Sequence, residues 1–101
     1  MEYIITQNKE AYRFETTLEN GQVAYLDYNE INDALNYAHT YVPKTFEGRG
    51  IAASIVKFAL EYARNSHLHI IPSCPYVATY IERHPEYRDL VKQGPSFQGE
   101  W

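Results

Sequence analysis

Apolar and polar positions alternate through Ala11-Tyr12-Arg13-Phe14-Glu15-Thr16-Thr17-Leu18 and again through Val23-Ala24-Tyr25-Leu26-Asp27-Tyr28, the two-residue period of half-buried strands. Between them, Glu19-Asn20-Gly21-Gln22 carries an Asn-Gly turn signal, so the pair reads as a β-hairpin. A third strand is expected over Ala34–Val42, where Pro43 blocks continuation. The side chains of Tyr37, His39 and Tyr41 share one face of it.

From Gly50 the period changes. Ala52, Ile55, Val56, Ala59, Leu60 and Ala63 recur at three- and four-residue spacing, with Lys57, Glu61 and Arg64 on the opposite side, which predicts an amphipathic helix packed on the sheet. Leu68-His69-Ile70-Ile71, closed by Pro72, reads as a buried strand. A helix joining two strands makes them parallel, with a right-handed crossover. Ser73 is placed to cap a second helix over Pro75–Arg83, with Val77, Tyr80 and Ile81 facing inward and His84-Pro85 at its end. The stretch 93–101 has no periodicity and reads as a tail, in which Phe97 and Trp101 can dock. The expected fold is α/β (α+β): a mostly antiparallel sheet with a parallel βαβ unit and two main helices, in one domain over 1–92.

Composition narrows the function classes. The 101 residues, 45% hydrophobic and 22% charged, suffice for one small core. Ten tyrosines and four phenylalanines can cover that core or line a cleft with polar tips outward. A net charge of −4 without a basic run argues against duplex nucleic acid. No stretch approaches the ~20 apolar residues of a membrane-spanning helix, so no membrane partner is expected. One cysteine cannot form an internal disulfide, and the N-terminal residues lack the pattern of a secretory signal; a cytoplasmic location is expected.

Gly48-Arg49-Gly50 leads straight into the long helix. Glycines there let the backbone turn tightly, and the unpaired N–H groups and dipole of a helix start favour an anion such as phosphate. The same pair also reads as a plain loop starting a helix. His67 and His69 have metal-compatible H-x-H spacing but no third ligand, so no metal is expected.

His39-Thr40-Tyr41-Val42-Pro43, Glu47-Gly48-Arg49-Gly50-Ile51-Ala52, Ile71-Pro72-Ser73-Cys74-Pro75-Tyr76-Val77 and Tyr80-Ile81-Glu82-Arg83-His84-Pro85-Glu86-Tyr87 occur in this order. Together they resemble a family of very short, single-domain members of the GNAT superfamily, the acetyl-CoA-dependent N-acetyltransferases. The resemblance implies acetyl-CoA, or coenzyme A, between the strand ending at Val42 and the strand ending at Ile71. Its pyrophosphate would lie on the amides of Gly48, Arg49, Gly50, Ile51 and Ala52, beside Glu47, with Arg49 or Lys44 supplying charge. Tyr41 and Val42 would meet the pantetheine arm, and Ser73, Tyr76 and Tyr80 are also expected to bind the cofactor. Two positions depart from the superfamily pattern: Thr45 stands where glutamine or arginine is preferred, and Ile81 takes the place of a general-acid tyrosine, with Tyr80 one residue away.

Cys74, between Pro72 and Pro75 at a helix start, then falls near the thioester. Helix N-termini favour thiolates, so Cys74 either takes the acetyl group covalently or borders the thioester; the third reading is an inert buried thiol. His39 on the flanking strand is either a base for an ammonium acceptor, a partner for Cys74, or a histidine bonded into the sheet. The expected activity is acetyl transfer to an amine, of a small molecule or a protein, by a monomer or homodimer. The alternative is a non-catalytic acyl-CoA-binding module acting through a protein partner. A plain protein-interaction domain and a Cys-His hydrolase rank below both.

Overall fold

The computed structural model describes residues 3–92; the expected tail, 93–101, lies outside the described residues. Five strands form one sheet in sequential order: β1 (Thr6–Asn8), β2 (Arg13–Thr17), β3 (Val23–Ile31), β4 (Ala34–Tyr41) and β5 (His69–Ile71). The first four are antiparallel neighbours, and β5 runs parallel to β4. Helix α1 (Ile51–Asn65) makes the crossover, and α2 (Pro75–Arg83) follows β5.

The hairpin from β2 to β3 turns at Gly21, whose φ of +86° suits glycine. The strand expected from Ala11 begins instead at Arg13, because Tyr12 takes a left-handed φ of 55°. β3 runs on past Tyr28 to Ile31 and enters β4 through Asn32 and Asp33, both at positive φ, the conformation of a type I′ hairpin. Two elements have no counterpart in the sequence reading. β1 is three polar residues at the sheet edge, too short to show alternation. After α2, a 3₁₀ segment (Pro85–Leu90) brings Val91 alongside Ile70, where Lys92 N–H donates to the Ile70 carbonyl at 2.8 Å.

The core lies on one side of the sheet. Ile51, Ile55, Val56, Ala59, Leu60 and Ala63 of α1 are buried against Phe14, Leu26, Leu35, Tyr37 and Ile70. Phe14 is the centre of an aromatic group, with ring centroids 5.1 Å from Tyr28, 5.4 Å from Tyr62 and 5.9 Å from Tyr37. The many tyrosines therefore mostly thicken a thin core.

The expectation that Tyr37, His39 and Tyr41 share a face is corrected by a β-bulge. Asp27 pairs with His39 but the next residue, Tyr28, pairs with Tyr37, so Ala38 is an extra residue in β4. The extra residue reverses the alternation. Tyr37 faces the core and is fully buried, Thr40 pairs with buried Leu26 on the same side, and His39 and Tyr41 face the side away from α1.

The Tyr37 hydroxyl donates to the Ala59 carbonyl of α1 at 2.6 Å. Burial, and then the neighbouring phenols of Tyr62 and Tyr28, push its phenol far above the ordinary tyrosine range, so it remains a neutral donor. Tyr37→Phe is expected to lower stability by about 1 kcal/mol in urea denaturation; an unchanged midpoint would show that this bond does not help fix α1 to the sheet.

Candidate active site

β4 and β5 pair at only three positions, ending at Asn36 and Ile71. The Cys74 N–H then donates to the Tyr37 carbonyl at 2.9 Å, closing the base of a V. Beyond it β4 has no strand on its outer side among the described residues. A cleft of about 820 Å³ opens there, within the ~300–1,000 Å³ range of ligand pockets. It is lined by His39, Thr40, Tyr41 and Val42 at the end of β4, by Tyr76 of α2, and by Lys44, Phe46, Glu47, Gly48, Gly50, Ile51 and Ala52 of the turn that leads into α1.

The mouth is built from the glycine turn. Pro43 ends β4 and leads into a 3₁₀ turn (Lys44–Phe46), and Phe46 anchors it in the core. Gly48 and Gly50 both take left-handed φ values, +87° and +76°, and Gly50 is the N-cap of α1 without a side-chain cap. Alternating left-handed glycines at a helix start form a concavity that suits an anion, and no acidic side chain occupies the first turn of α1. Glu47 at the rim opposes this, and Lys44 favours it.

Arg49 is turned elsewhere. Its guanidinium donates to Glu19 Oε2 at 2.8 Å and to the Tyr3 hydroxyl at 3.2 Å, and stacks 4.7 Å above the Phe46 ring. A hydrogen bond to its own backbone, then contacts from Tyr3 and Arg49 acting against desolvation, hold the Glu19 carboxyl below its usual range. Arg49 thus fastens the glycine turn to the β2–β3 turn and is not among the cleft-lining residues.

Cys74 is the N-cap of α2 and is buried, with 4% of its surface exposed. Its Sγ lies 3.6 Å from Thr40 Oγ1, and Thr40 in turn lines the cleft. Thr40, and not His39, is therefore the polar neighbour of the thiol; the bulge puts His39 on the opposite side of β4. Ser73, expected as the helix cap, instead donates to Asn36 Oδ1 at 2.5 Å. Tyr80 stacks on His84 with centroids 4.0 Å apart and is not among the cleft-lining residues; desolvation, followed by Glu86, raises its phenol. His84 Nδ1 lies 2.9 Å from the Tyr80 carbonyl, a position at the end of α2. His67 takes a left-handed φ of 59° outside β5, so the H-x-H pair does not share a strand. Among the described residues there is no group of three or more His, Cys, Asp or Glu side chains able to hold a metal ion. Thr40 had no sequence signal of its own, since its inward direction depends on the bulge.

A mixed sheet whose parallel pair parts over a glycine-started helix matches the fold of a GCN5-like acetyltransferase. The chain belongs to the GCN5-related N-acetyl-transferase family, whose sequence model matches residues 13–90. The solution NMR structure of a GCN5-like protein from Staphylococcus aureus superposes with a TM-score of 0.69 at 26% identity, over 97% of this chain and 96% of that one. Protein NATD1 of Xenopus tropicalis and of Homo sapiens are each 36% identical over 57 residues, 56% of this chain. The match covers 52% and 50% of those proteins, so the chain spans about half the length of the curated relatives it matches. No described helix is long and apolar enough to cross a membrane.

A Cβ on Gly50 would meet nothing within 4 Å, so the cost of substitution there is purely conformational. Gly50→Ala is expected to destabilise the fold by about 1–2 kcal/mol in urea, and Gly50→Asn by less. Equal midpoints for the wild type and both variants would show that residue 50 does not need the left-handed conformation.

Proposed function

We propose that the cleft binds acetyl-CoA and that the protein transfers the acetyl group to an amine. The observation that carries this reading is the parting of β4 from β5 directly beside the glycine turn, which joins an anion-binding mouth to an unpaired strand edge. The diphosphate would rest on the amides of Gly48 to Ala52, with Lys44 as the nearby cation. The amide-bearing arm would run along Thr40 to Val42 as an added strand would. Phe46, Ile51 and Tyr76 supply apolar surface for the arm's methylenes, and the thioester would fall toward Thr40, His39 and the Tyr37–Cys74 junction.

In the transfer, the acceptor nitrogen forms the new N–C bond while the thioester C–S bond breaks, and the sulfur leaves as a thiolate that takes up a proton. The acceptor must first lose its ammonium proton, for which His39, an imidazole lining the cleft, is the candidate base. Direct attack is favoured over a relay through Cys74, because Thr40 lies between the thiol and the cleft. Orientation of the two reactants supplies most of the acceleration. A second reading, acyl-CoA binding without turnover through a protein partner, is supported by the burial of Cys74 and by Ile81 at the usual acid position; consumption of the thioester with a panel of amines separates the two.

Calorimetry with acetyl-CoA tests the cleft. Lys44→Ala is expected to weaken binding severalfold, more at low salt, while Arg49→Ala weakens it less; the reverse order would place the phosphates nearer the Glu19–Arg49 pair. Intact-protein mass spectrometry after incubation with acetyl-CoA addresses the thiol. Direct attack predicts no acetyl adduct that depends on Cys74, and an adduct on the wild type that vanishes in Cys74→Ala would instead establish the relay.

A further inference from the structure

We propose that the Thr40 hydroxyl and the Cys74 thiol form a proton path to the sulfur that leaves the thioester, with Thr40 facing that sulfur and Cys74 supplying the proton from behind. This inference deepens the acyltransferase reading and rests on it. The departing thiolate must take up a proton, and few cleft-lining side chains can donate one. Lys44 belongs to the turn that leads to the glycines, His39 and Tyr41 face the side of the sheet away from α1, and Tyr76 is 41% exposed. Thr40 lies on the helix side of β4 and lines the cleft. Its Oγ1 is 3.6 Å from Cys74 Sγ, within reach of a hydrogen bond because sulfur is the larger atom.

A threonine hydroxyl both accepts and donates a hydrogen bond. Neither Thr40 nor Cys74 makes another side-chain hydrogen bond among the described residues, so with the thiol donating to Oγ1 the hydroxyl hydrogen is free to point into the cleft. The side chain of a helix N-cap ordinarily accepts from the first-turn amides, yet Cys74 caps α2 without such a bond, its sulfur being turned to Thr40. The amides at the start of α2, with its dipole, are then available to stabilise negative charge on that sulfur. As the thioester C–S bond breaks, the Thr40 hydroxyl proton passes to the leaving sulfur and the Cys74 thiol proton passes to Oγ1, leaving a CoA thiol and a Cys74 thiolate. Both are alkyl thiols, so the transfer is close to thermoneutral. After CoA departs, water in the cleft returns a proton through Thr40. A thiol 4% exposed behind Thr40 is badly placed to attack an acetyl carbon but well placed to serve a hydroxyl.

The test has two arms on the full chain. Because the chain has one cysteine, infrared spectroscopy of the free protein assigns its S–H stretch directly. A hydrogen-bonded band is expected in the wild type and in Thr40→Ser, moving to the higher frequency of a free thiol in Thr40→Val; the same band in all three would overturn the pairing. In the second arm, thioester consumption with the amine panel is followed in single turnover. Thr40→Val and Cys74→Ala should each slow it about a hundredfold at unchanged acetyl-CoA affinity, and the double variant should be no slower than either. Thr40→Ser should restore most of the rate. Cys74→Ser keeps a hydrogen bond to Thr40 but releases a proton poorly, so it should be as slow as Cys74→Ala; a wild-type rate in Cys74→Ser would overturn Cys74 as the proton source. A loss in Tyr76→Phe with Thr40→Val at the wild-type rate would overturn the proposal by assigning the donor to that phenol. Absence of wild-type turnover with every amine counts against the transferase reading itself, whereas turnover insensitive to Thr40→Val counts against this proposal alone.

Discussion

The brief pairing of β4 with β5 governs the rest of this structure. The two strands share three register positions and then part, and the Cys74 N–H to Tyr37 carbonyl bond marks where they do so. If the parallel pairing continued, β4 would be closed on both sides and no cleft would exist. It stops because β5 is only three residues long and Pro72 follows it, while β4 runs on to Tyr41. Pro43 and the two left-handed glycines then swing the chain back to start α1 at the open end of the V.

The same short stretch of β4 divides labour between the two faces of the sheet. One extra residue, Ala38, turns Tyr37 and Thr40 toward the helices and His39 and Tyr41 away from them. Thr40 thereby comes within 3.6 Å of the buried thiol, while His39 faces Asp27 and Tyr25. A bulge that re-aims side chains beside a ligand site is a common device. Tyr37, bonded into α1, and the Arg49–Glu19 pair hold the two ends of this arrangement.

Much of the fold was legible because it is written in period. The β2–β3 hairpin, the amphipathic α1 and the bounds of α2 follow from alternation, from three- and four-residue spacing, and from Asn-Gly, Gly and Pro punctuation. The family resemblance carried by four ordered motifs agrees with the match over residues 13–90. β1 and the Pro85–Leu90 turn were not legible, since neither is long enough to show a period and both depend on tertiary partners. In the candidate site, the backbone positions around Gly48 and Gly50 could be read from residue type, because glycine alone adopts those angles freely. Side-chain directions could not. Arg49 pairs with Glu19, which is 30 residues away in sequence, and the faces of His39 and Thr40 depend on a bulge that no residue in Tyr37-Ala38-His39 announces.

A crystal structure of the protein grown with CoA tests the central claim most directly. The account requires the diphosphate within hydrogen-bonding distance of main-chain amides between Gly48 and Ala52, and the pantetheine amides paired with the outer edge of β4 between Thr40 and Val42. CoA on any other surface, or β5 found paired with β4 beyond Asn36, would contradict it.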